Sequence, residues 1–159
     1  ALCLGLVNSV TAERIAAIAA EKLATAMSEV LPADEYTDVE YTGGDQNVDF
    51  IKKAGDKGWV VQCTVSGSQG SITMLTGVAA DGTVTGISVL DHGETPGLGA
   101  IAGAASAVGE NWRAQFQGIP SAAVTKDGGQ IEAISGATIT SRAICNGVTA
   151  AQNGVKTVG

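Results

Sequence analysis

A two-residue Asp81-Gly82 link joins two β-rich runs, Ile72–Ala80 and Thr83–Leu90. Asp-Gly between strand-forming segments is a strong local hairpin signal, because the tightest hairpin turns need central residues at positive φ. The middle of the chain is therefore predicted to be an antiparallel sheet. Trp59–Val65 is a third β-rich run, ending in the Gly/Ser cluster Ser66–Gly70. Ahead of it, Thr11–Val30 reads as an amphipathic helix, with Ile15, Ile18, Leu23, Met27 and Val30 near helical spacing and Pro32 as its stop. Asp34–Asp49 is a polar stretch with a turn at Gly43-Gly44.

After the sheet the pattern returns to helix. Ala100–Val108 is Ala-rich and predicted helical, and Trp112 and Phe116 stand four apart, a helical neighbour pair suited to core packing. Lys126-Asp127-Gly128-Gly129 reads as a turn and Ile131–Ile134 as a short strand. A last helix is expected from Ser135 or Thr138 to about Asn153, with Ile139, Ala143, Ile144, Val148 and Ala151 inward. Helix, antiparallel sheet and helix give an α+β class. At 159 residues and 45% apolar content, one domain with a real core is expected and disorder is excluded. The formal charge of −7 argues against nucleic acid or an anionic membrane surface as partner. Cys3, Cys63 and Cys145 are far apart, no C-x-x-C occurs and His92 is the single histidine, so a zinc or iron–sulfur site is not expected.

Two segments carry chemical potential. Ser135-Gly136-Ala137-Thr138-Ile139-Thr140-Ser141 opens the final helix with four hydroxyls in seven residues. Such hydroxyls can simply cap the helix. They can equally border an open helix N-terminus, whose free amides bind phosphate. Glu94-Thr95-Pro96-Gly97-Leu98-Gly99 follows the hairpin, and its glycines let the main chain approach something flat or bulky. Gly97-Leu98-Gly99-Ala100-Ile101-Ala102 matches the G-x-G-x-x-A dinucleotide pattern, but the preceding strand belongs to a hairpin rather than a βαβ unit, and no acidic residue lies about twenty positions on. One His with no assignable nucleophile argues against a hydrolase.

Taken in this order, with Ser135-Gly136-Ala137-Thr138 about forty residues after Glu94–Gly99, the two segments resemble the FMN-binding domain found in the G subunit of the Rnf electron-transport complex. That domain is homologous to the C subunit of the sodium-pumping NADH:quinone reductase. The resemblance covers nearly the whole chain. It implies that Thr138 bears FMN through a phosphoester installed by a flavin transferase, with Ser135, Gly136, Ala137, Thr140 and Ser141 around it. It also implies that Glu94, Thr95, Gly97, Leu98 and Gly99 lie against the isoalloxazine, with Trp112 a neighbour either of the ring or of the core. Where the family usually has Asp three residues before the S-G-A-T serine, this chain has Glu132. Ser68-Gln69-Gly70-Ser71-Ile72 stands where a turn richer in glycine and proline is usual.

The resemblance further implies a redox subunit rather than a stand-alone enzyme, relaying electrons inside a membrane complex that couples ferredoxin and NAD to ion transport. Residues 1–10 are then expected to be the end of a truncated single-pass membrane anchor, and residues 11–159 an extracytoplasmic (periplasmic) flavin domain. Other subunits of the complex and the transferase would be its partners. The residues themselves leave other readings open: a reversible flavin- or phosphate-ligand module, a component resembling the C subunit of the quinone reductase, and a scaffold whose S-G-A-T is only a cap.

Overall fold

The computed structural model describes residues 2–158, with side chains left aside at 2–12, Ile15 and Ala19. Helix α1 (Leu2–Val30) leads into five strands: β1 (Tyr36–Val39), β2 (Val48–Ala54), β3 (Gly58–Ser66), β4 (Ser71–Ala79) and β5 (Val84–His92). Two further helices, α2 (Ala107–Ala114) and α3 (Thr138–Val158), follow. The strands form one sheet in chain order, every neighbour antiparallel. This is the α+β architecture expected from the sequence.

The sheet is covered on both faces, which is why its central strands are buried nearly throughout. Val61, Cys63, Ile72, Met74 and Val78 face the core shared with Ile144, Val148 and Ala151 of α3. Alternate residues Val60, Leu75 and Ala54 face Ala26, Met27 and Val30 at the end of α1. The alternation follows from the two-residue period of a strand. Gly77 allows α1 to settle on the sheet, since a Cβ there would come within 2.6 Å of the Val30 carbonyl. That carbonyl accepts a 2.6 Å hydrogen bond from Thr85 Oγ1.

Several expectations need correction. The β4–β5 connection is the four residues Ala80-Asp81-Gly82-Thr83, with the Gly82 amide bonded to the Ala79 carbonyl and only Gly82 at positive φ, +91°. Asp81 instead uses its carboxylate, accepting from the amide and hydroxyl of Thr83 at 3.0 and 2.7 Å. Strands β1 and β2 occupy the supposed polar stretch and its sequel. Ala100–Val108 is not one helix: a 3-10 turn covers Gly99–Gly103, and Ser106 then caps α2 by accepting from the Gly109 amide at 3.4 Å. Ile131 makes one parallel bridge to Val124 rather than a strand. Ile18 is 65% exposed, in a stretch of α1 whose described side chains are exposed as far as Lys22, and Ile139 is 60% exposed, on the face of α3 that also carries exposed Arg142, Asn146 and Thr149. Trp112 and Phe116 pack edge to face, 5.3 Å between centroids.

Cys63 and Cys145 are buried free thiols, and burial pushes both up to about 12, so they are inert core residues. No helix of the described residues is long and apolar enough to cross a membrane, and no cluster among them could hold a metal.

Thr76, on the α3 face of β4, is fully buried and its hydroxyl has no partner among the described residues. An orphaned polar atom is destabilising relative to an apolar group of the same shape. Thr76→Val is therefore expected to leave the urea midpoint unchanged or raise stability by up to about 1 kcal/mol. A clear loss in the denaturation curve would show that the hydroxyl is satisfied.

Candidate cofactor site

Two turns of the same design meet at one end of the sheet. In the first, the Leu98 amide donates to the Thr95 carbonyl at 3.1 Å, with Pro96 and Gly97 between them and Gly97 at φ +77°. In the second, the Ala137 amide donates to the Ile134 carbonyl at 2.9 Å, with Ser135 and Gly136 between and Gly136 at φ +75°. Positive φ at the third residue is the signature of a type II turn and calls for glycine. The turns abut, for a Cβ on Gly136 would lie 3.1 Å from Leu98 Cδ2. The two segments singled out by their motifs are thus brought together by the fold.

Helix α3 begins at Thr138, and the first helical bond runs from the Ser141 amide to the Ala137 carbonyl. Ala137 is therefore at the N-cap position, where alanine is among the poorest choices because it has no side-chain acceptor. None of the four neighbouring hydroxyls caps the helix. The amides of Thr138, Ile139 and Thr140 have no acceptor among the described residues. The hydroxyls do other work. Buried Ser141 donates to the Ala137 carbonyl and accepts from the Ile134 amide, both at 2.9 Å, stapling the Ser135-Gly136 turn to α3. Thr140, also buried, donates to Glu94 Oε2. Thr138 is half-buried and Ser135 exposed.

Thr138, Ser135 and Gly136 line a cleft of about 420 Å³ together with Thr125, Lys126, Glu132, Ala133 and Ile134. Thr125 and Lys126 were not singled out in the sequence, where Lys126 reads only as part of a turn. Their placement is tertiary: Arg142, one helical turn after Thr138, grips the Asp127 carboxylate with Nε and a terminal nitrogen at 2.7 and 2.9 Å. Glu132 is held from beneath by α2, its carbonyl accepting from Trp112 Nε1 at 2.7 Å and its amide donating to Gln115 Oε1 at 2.8 Å. Trp112 thus supports the segment ahead of S-G-A-T and does not line the cleft.

Glu94 differs from the expectation that its loop simply faces a ligand. It is 6% exposed. Oε1 accepts from the Gln69 amide at 3.0 Å, while Oε2 takes the Thr140 hydroxyl. Gly99 is required by this pair, because a Cβ there would come within 2.6 Å of both Glu94 Oε2 and Thr140 Oγ1. Its small size serves a contact inside the protein. Burial alone would push the Glu94 carboxyl up. The Thr140 hydroxyl, the Gln69 and Ser68 amides and nearby His92 outweigh burial and hold it below the ordinary glutamate range.

The donor set suits a phosphate ester. It combines three free amides at a helix start, a half-buried threonine hydroxyl among them, and a lysine on the cleft wall. The exposed Glu132 in the same cleft opposes an anion only weakly, through solvent. FMN is compatible with these residues.

A carboxyl depressed in the folded state adds stability above its unfolded pKa, about 4.3 for glutamate, and loses it as pH falls through the folded value. Asp81 and Asp127 are depressed as well, so Glu94→Gln isolates the Glu94 share. The variant is expected to be less stable than wild type by about 1–3 kcal/mol at pH 7, with the gap closing below about pH 4. Denaturant melts across this range measure it. A gap that does not change with pH contradicts the assignment.

Comparison with known proteins gives the family. Residues 67–153 match the model of the FMN-binding domain, a span containing Glu94–Gly99 and Ser135–Ser141. The chain is 36% identical to the G subunit of the ion-translocating oxidoreductase complex of Methanosarcina acetivorans, over 95% of its own length and 84% of the relative's. It is 35% identical to the G subunit of the Na(+)-translocating ferredoxin:NAD(+) oxidoreductase complex of Acetobacterium woodii, covering 93% and 81%. Against the G subunit of the ion-translocating oxidoreductase complex of Escherichia coli K12 the identity is 34%, covering 89% and 77%. The chain belongs to the FMN-binding domain family, in the branch formed by the G subunits of the ion-translocating oxidoreductase complexes.

Proposed function

We propose that the chain is an electron-carrying subunit of a membrane-bound, ion-translocating ferredoxin:NAD oxidoreductase, holding FMN through a phosphoester on Thr138. The observation that carries this reading is the start of α3: Thr138 is its first residue, and alanine at the N-cap leaves the adjoining amides open. Family membership and the names of the relatives supply the flavin and the class of complex. Those relatives are G subunits by name, which favours this assignment over a component resembling the C subunit of the quinone reductase.

When bound, FMN supplies electron transfer; the chain's share is to hold and orient it. Thr138 Oγ1 would give up its proton and form the bond to phosphorus while the transferase breaks the bond from that phosphorus to the leaving group of an activated flavin-phosphate donor, the leaving group departing with the proton, so that the chain gains FMN less one water. The amides of Thr138, Ile139 and Thr140 would then donate to the phosphodiester, and Lys126 would offset its charge across the cleft. Leu98, 42% exposed, and Ile139 offer apolar surface beside that point for the flat part of the cofactor. A tether would suit a carrier facing an extracytoplasmic space, where a dissociable flavin would be lost. In this reading a flavin transferase matures the protein, the other subunits give and take electrons, and the beginning of α1 continues a single-pass membrane anchor.

Coexpression with a flavin transferase is expected to raise the intact mass by that of FMN less one water. Thr138→Val should abolish the gain with the fold retained by circular dichroism. Yellow colour that is lost on denaturation would instead establish a reversible flavin module. A matured sample with neither colour nor added mass would leave S-G-A-T as a structural turn.

A further inference from the structure

The first turn of α3 is short of the devices that normally fix a helix start. Its N-cap is alanine, Thr138 and Ile139 have no side-chain hydrogen bond among the described residues, and Ile139 is largely exposed. Two buried hydroxyls anchor it instead. Ser141 ties it to its own preceding turn, and Thr140 ties it to Glu94. The Thr140 link is the one that reaches other parts of the chain, because Glu94 also holds the β3–β4 connection through the Gln69 amide. Gly67, at the end of β3, is shaped by the same carboxylate, since a Cβ there would collide with Glu94 Oε1. No lysine or arginine pairs with Glu94 among the described residues. A buried carboxylate without a cation is costly unless its oxygens are filled by donors, and these donors come from two segments that share no other side-chain hydrogen bond among the described residues.

We propose that Glu94 and Thr140 form a positioning pair that locks the first turn of α3 to the β3–β4 turn, holding the Thr138 hydroxyl in one presented geometry for esterification. Neither residue touches the reacting atom. They remove the conformational freedom that an alanine-capped helix start would otherwise keep, so the ordering is complete before the cofactor arrives. The proposal rests on Thr138 as the flavin-bearing residue, and the experiment separates the two claims.

Amide hydrogen exchange is measured on the flavin-free protein for wild type, Thr140→Val, Thr140→Ser, Glu94→Gln and Glu94→Ala. Loss of the pair is expected to speed exchange about tenfold at the hydrogen-bonded amide of Ser141, in the first turn of α3, and at those of Gly67 and Gln69 together, as befits one charge-assisted hydrogen bond. Thr140→Ser keeps the hydroxyl and should stay near wild type. Protection at Ile144–Val148, in the middle of α3, should be unchanged. The same proteins are then given FMN by the transferase. Thr140→Val should be esterified about tenfold more slowly, with Thr140→Ser restoring the rate.

The proposal is overturned if exchange rises at only one of the two segments. It is equally overturned if Ile144–Val148 loosens as much, or if Thr140→Val is esterified at the wild-type rate. A wild-type protein that never gains flavin would sink the reading of Thr138, while coupled exchange at the two segments would still establish the pair.

Discussion

A buried carboxylate that no lysine or arginine among the described residues pairs with organises one end of this molecule. Glu94 leaves β5 and turns its oxygens inward, one to the β3–β4 connection and one to the first turn of α3. Water cannot serve it well there, so the fold must supply donors, and each donor fixes a segment in place. Glycine at 67 and 99 follows from the same demand for space. The rest of the end is built against this point. Trp112 and Gln115 hold the backbone at Glu132, Ser141 staples Ile134 to Ala137, and Arg142 secures the Asp127 turn.

Rigidity of the backbone is paired with openness of the polar groups. Both type II turns use a glycine at positive φ to make a sharp corner, and they lie against each other. Beyond them the helix presents uncapped amides, a threonine hydroxyl and the apolar side chain of Ile139. The chain as a whole is acidic, yet aligned amides a few ångströms away outweigh distant screened charges. Under the proposed covalent bond, the anion needs little net affinity. Orientation is what such a site provides, and a fixed helix start on a packed sheet provides it.

Much of this is written locally in the sequence, and the parts that are not have a common cause. The hairpin was legible because Asp81-Gly82 sits between strong strand formers, although Asp81 acts through its carboxylate and not through positive φ. Strands β1 and β2 were not, since Tyr36–Val39 is only four residues and β2 carries Asp49, Lys52 and Lys53 among its apolar positions. Ala100–Val108 misled because alanine favours helix while Ser106, a better cap, restarts the chain. Helical periodicity placed Ile18 and Ile139 inside, but Ile139 falls on the face of α3 that carries exposed Arg142, Asn146 and Thr149, and the stretch of α1 around Ile18 is exposed. The two site motifs could be read as motifs. The inward role of Glu94, the support from Trp112 and the arrival of Lys126 at the cleft are contacts between distant segments, and no local pattern encodes them.

The proposed ester on Thr138 decides the role of everything else at this end of the molecule. Cleavage after Lys126 and Arg142 releases Asp127–Arg142, a peptide containing Ser135, Thr138, Thr140 and Ser141. Fragmentation of that peptide from transferase-matured protein is expected to place the flavin phosphate on Thr138, with Thr140 unmodified because its oxygen is committed to Glu94. Flavin phosphate on Thr140 or on either serine, or an unmodified peptide from a sample carrying covalent flavin, would contradict the arrangement described here.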